Sequence, residues 1–87
     1  MNDERLIELV RNRFENEYSI MEISLINYYD LKNKTDLPIE MLKVKAEILL
    51  NINLLIKTMG HVLIDEGIID ISIDEFYQRM CIIHLKL

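Results

Sequence analysis

Between Met41 and Ile64 the chain carries three adjacent heptad rows that are almost wholly apolar: Met41, Ile48, Leu55 and Val62; Leu42, Leu49, Ile56 and Leu63; and Ile52 with Met59. On a helix of 3.6 residues per turn these rows merge into one broad face. A helix with so wide a face has to be covered on more than one side by other helices. The expected fold is therefore all-α, a three-helix bundle or a helical hairpin plus a long N-terminal helix, completed by oligomerisation.

The same helix is not read as a membrane span. Residues 46–64 approach spanning length, but Glu47, Asn51, Asn53, Lys57 and His61 recur about once per turn, where a bilayer core tolerates few such groups. The chain opens with Asn-Asp-Glu rather than with a basic cluster before an apolar run, so no secretory signal is expected. One cysteine, Cys81, excludes an intrachain disulfide and points to a reducing compartment, so a cytoplasmic location is expected.

Two further helices flank the central one. From about residue 3 to 32, Ile7, Val10, Phe14, Tyr18, Met21, Leu25 and Tyr28 follow steps of three and four, the stripe of one continuous helix. Asn2 or Asp3 supplies its cap. Ile20, Ile23, Ile26, Tyr29 and Leu31 lie off that stripe, so its second half is expected to be covered on two sides. Asn-Lys-Thr-Asp then breaks the chain, with Asp36 as N-cap and Pro38 in the first turn of a helix over about 38–66. Gly67 is placed to end that helix, and Ser72 with Glu75 forms a capping box opening a third, over about 73–84. Phe76, Met80, Ile83 and Leu87 are its apolar stripe. The 87 residues make one domain, small enough to need help from self-association.

A net charge of −5 argues against nucleic acid as a partner, because phosphate neutralisation needs a concentrated basic surface. Arg5, Arg11 and Arg13 are interleaved with glutamates, and Lys32, Lys34, Lys43 and Lys45 have Asp30, Asp36 and Glu40 among them. Both groups read as solvated helix faces with local pairs such as Arg11 or Arg13 with Glu17.

No catalytic, cofactor-binding or metal site is expected. His61 with Asp65 and Cys81 with His84 have helical ligand spacing, but an antiparallel hairpin puts them at different levels, so they would meet only across an oligomer interface. A reactive thiol needs a lowered pKa, usually from a helix start or a neighbouring cation, whereas Cys81 is expected near a helix end among Met80, Ile82 and Ile83. With two glycines, no phosphate-cradling loop exists.

Tyrosine suits recognition surfaces through its apolar ring and polar tip, which singles out Tyr28, Tyr29 and Tyr77. Asn53 borders the apolar seam, where a polar group fixes register, and Met59 completes the expected contact set. The functional expectation is a non-enzymatic protein–protein interaction module: a small helical regulator or inhibitor, homo-oligomeric and most simply a dimer, bound to a host or cognate protein. Ile, Asn, Lys and Asp in this proportion are frequent in low-GC bacteria and their phages, so an anti-defence inhibitor of the anti-CRISPR type is the specific expectation. The alternative is a helix-turn-helix DNA-binding regulator reading through Gln78 and Arg79.

Overall fold

The computed structural model describes residues 1–85, and Leu87 of the expected third stripe lies outside them. The described residues form four α-helices and no strands: α1 (Asp3–Arg13), α2 (Glu15–Lys32), α3 (Ile39–Asp65) and α4 (Ile73–Leu85). The all-α expectation holds. The single helix expected over 3–32 does not, because Phe14 leaves helical geometry at φ −130° and ψ 56° and divides it into α1 and α2.

No glycine or proline asks for that break. Its cause is tertiary: the bend turns α1 back over the bundle, where Leu6 and Val10 become fully buried and Phe14 nearly so. Burying two such aliphatic side chains contributes roughly 3–6 kcal/mol, more than the few local hydrogen bonds a bend gives up to water. Two ion pairs hold the strap at its ends. Arg79 donates to Asp3 at 2.7 Å and to the Met1 carbonyl at 2.9 Å, and Arg13 meets both Glu66 carboxylate oxygens at 2.8 and 2.7 Å. Arg13 thus pairs across the fold rather than with Glu17.

The remaining ends follow capping chemistry, with one correction. Asn2 caps α1, its Oδ1 accepting from the Arg5 N–H at 2.8 Å. Gly67, at φ 72°, closes α3 in a Schellman arrangement: Ile68 N–H bonds the Leu63 carbonyl at 2.9 Å and Gly67 N–H that of Ile64 at 3.0 Å. Ser72 accepts from Glu75 N–H at 3.1 Å and starts α4. Asp36 does not cap α3. Pro38 holds that position in extended backbone without a side-chain bond.

The core gathers Leu6, Val10, Tyr18, Met21, Ile52, Ile56, Met59, Leu63, Phe76 and Met80 around the C-terminal half of α3. There α3 is covered on two sides, by α2 and α4, as its wide apolar face requires. Gly60 permits the α3–α4 approach, since a Cβ at this position would lie 2.8 Å from both Ile73 Cδ1 and Phe76 Cε1. Toward its N-terminus α3 has α2 as its neighbour, and the pair projects as a two-helix arm. The radius of gyration is accordingly 14.0 Å, against about 12 Å for a compact chain of this length. By length and composition α3 is also apolar enough to cross a membrane, a property that core helices of soluble proteins share.

Candidate interaction surfaces

The structure turns most of the expected contact residues inward. The Tyr77 phenol donates to Asn53 Oδ1 at 2.9 Å, joining α4 to α3, and Lys57 lies 4.9 Å from the centre of the Tyr77 ring. Tyr29 donates to the His84 carbonyl at 2.6 Å and packs edge-on against Tyr28, ring centres 5.6 Å apart. Burial raises the phenol pKa of Tyr29 and of Tyr77 above the ordinary value. Met59, expected at a contact surface, is 1% exposed and belongs to the core cluster. Tyr28 is half-buried, and with Leu42, Lys45, Ala46 and Leu49 it lines a cleft of about 280 Å³ in the arm.

The potential ligands also stay apart. His61 and Asp65 are exposed on α3, whereas Cys81 is buried. His84 turns to α2, where its Nε2 lies 3.0 Å from the Tyr18 hydroxyl. Burial lowers the His84 pKa, with Glu22 partly offsetting and Arg11 adding to the effect. Among the described residues no three of His, Cys, Asp and Glu are grouped as metal donors.

What the sequence reading missed is the apolar surface left outside. Ile20, Ile23 and Ile26 were expected under a second covering helix, yet they are 58–68% exposed on the back of α2. They are bordered by Glu15, Glu17, Glu22 and Asp30. A second row runs down α3: Ile39, Leu42, Leu50 and Leu54 are 48–68% exposed, with exposed Ala46 at its middle. Ile82 of α4 is exposed to the same degree. Steps of three and four put each row on one helix side. The two rows lie on different helices, and Leu42 and Ala46 of the second border a cleft shared with Tyr28 of α2.

Monomeric domains scatter single exposed aliphatics, whereas here they recur in rows along two helices. The signal was present in the sequence as apolar residues lying off the main stripes; what could not be read was the number of covering helices. No family model, no curated protein and no solved structure matches this chain.

Proposed function

We propose that this protein is a non-enzymatic interaction module, a small helical regulator or inhibitor that acts in the cytoplasm by occupying a surface of another protein. The observation that carries this reading is the α2 row of Ile20, Ile23 and Ile26, exposed on a helix whose other side is locked into the core. A helix presenting apolar residues at steps of three fits a hydrophobic groove, and the acidic border of this one fits a groove rimmed by lysine or arginine.

The module also self-associates in this reading, since its apolar surface exceeds what one copy covers. The amino-acid usage noted above supports a phage or mobile-element origin and a host defence protein as target. Nucleic acid has no part in the proposal. Arg79, the arginine on the helix that would read a groove, is spent on Asp3 and the Met1 carbonyl, and the net charge is −5.

The test compares the native chain with Ile23→Glu/Ile26→Glu in affinity capture from the native host. A host protein retained by the first and lost with the second, at unchanged helicity, is expected. Equal retention by both, or retention of no protein by either, overturns the reading.

A further inference from the structure

The α3 row has a different character from the α2 row, and it points to a different occupant. Ile39, Leu42, Ala46, Leu50 and Leu54 are spaced evenly about Ala46: Ile39 and Leu54 lie seven and eight residues from it, and Leu42 and Leu50 four each. A row that is symmetric about a small residue is self-complementary when turned end for end. We infer that this row is the contact for a second copy of the chain, two α3 helices packing antiparallel with Ala46 on the two-fold axis.

Three observations support that occupant. In this register Leu42 of one copy meets Leu50 of the other, Ile39 meets Leu54, and the two Ala46 methyls allow the helix axes to approach closely. Charge agrees with it. Lys43 and Glu47 lie on the same outer flank of the row, both exposed, and the two-fold places each Lys43 beside Glu47 of the second copy, within roughly 3 Å along the axis. With Lys43, Lys45 and Lys57 against Glu40 and Glu47, this stretch is spared the acidic excess that would keep two copies of a −5 chain apart.

Area is the third. Ile39, Leu42, Leu50 and Leu54, each about half exposed or more, leave on the order of 100 Å² of apolar surface apiece. At the roughly 65% apolar content of homodimer interfaces, that corresponds to about 600 Å² per copy, the lower end of the range for a stable interface. The cleft lined by Tyr28, Leu42, Lys45, Ala46 and Leu49 opens beside the same row, so the second helix would also close it.

This inference rests on the interaction-module reading but uses a different helix, so the two fail separately. Sedimentation equilibrium of the full chain is compared across Ala46→Glu, Lys43→Glu, Lys43→Glu/Glu47→Lys and Ile23→Glu, with circular dichroism confirming the helical content. The native chain and Ile23→Glu should dimerise equally. Ala46→Glu, which sets two carboxylates on the axis, should weaken the dimer by about 100-fold or more. Lys43→Glu should weaken it by roughly tenfold, and the charge-swapped double variant should recover the native constant. All four substituted positions are exposed, so none disturbs the core, and the double variant's recovery separates charge pairing from loss of folding. A monomeric native chain, or a dimer that Ile23→Glu dissolves and Ala46→Glu leaves intact, overturns the inference while leaving capture of a host protein through α2 to stand or fall by its own experiment.

Discussion

The Tyr77 hydroxyl and Asn53 Oδ1, 2.9 Å apart, tie the middle of α4 to the middle of α3 and fix how the two helices are offset. Both residues had the marks of partner contacts, yet they spend their polar groups on each other. Each is half-buried, so removing one leaves its partner open to water and the cost is moderate. Tyr77→Phe should lower stability by about 1 kcal/mol, and the Lys57 contact to the ring should persist. A double-mutant cycle with Asn53→Ala, read from urea midpoints, should return a coupling of about 0.5–1 kcal/mol; additive losses would show that the bond contributes nothing.

Gly60 supports the same helix contact by what it lacks. Alanine there would gain about 1 kcal/mol of helix propensity, but its methyl would press on the Phe76 ring and Ile73, both packed against the core. Overpacking of this kind costs roughly 1–3 kcal/mol, so Gly60→Ala should be destabilising on balance and lower Tm by roughly 5–10 °C. Adding Phe76→Leu should cost less in the Gly60→Ala background than in the native one, because the smaller side chain relieves the clash.

His84 should make stability depend on pH. In the tautomer with hydrogen on Nδ1, Nε2 accepts the Tyr18 phenol proton, and burial keeps the ring pKa below its ordinary value. As pH falls, the unfolded chain therefore takes up this proton before the folded one. The contribution is complete above about pH 6.5 and is lost as pH falls through the lowered folded value. His84→Gln keeps a hydrogen-bonding group without the titration. Urea midpoints at about pH 7.5 and about pH 5 should fall further for the native chain than for the variant, and parallel falls would assign the dependence to carboxylates such as Glu66, which Arg13 holds below its usual pKa.

Local chemistry made much of this fold legible. The Schellman glycine at Gly67 and the Ser72 cap are short-range events in which a residue type and its neighbours decide the outcome, and both fell where the sequence places them. The apolar stripe of α4 from Phe76 to Met80 faced inward for the same reason. What the sequence could not supply was the supply of neighbours: Ile20, Ile23 and Ile26 are as apolar as Met21 and Leu25, and only the absence of a helix on that side among the described residues leaves them in water. Asn53 and Tyr77 were picked out individually, and no local pattern announces that they meet across 24 residues.

Phe14 is the sharpest case, because its stripe stays in phase across the break and local propensity alone would continue the helix. The bent and straight forms can be told apart by one substitution. Glu15 is the first residue of α2, where a helix N–H has no partner in a preceding turn and proline is well accommodated. Phe14 already lies outside the α region, which is what a following proline demands of it. Glu15→Pro should therefore leave helicity unchanged and stability within about 0.5 kcal/mol of the native value, or slightly higher through the stiffer unfolded chain. In a continuous helix over residues 3–32 the same proline would remove an interior hydrogen bond and clash with the carbonyl four residues back, costing about 3 kcal/mol or more. A loss of that size in urea denaturation would mean that α1 and α2 are one helix in solution, with Leu6 and Val10 withdrawn from the core they now complete.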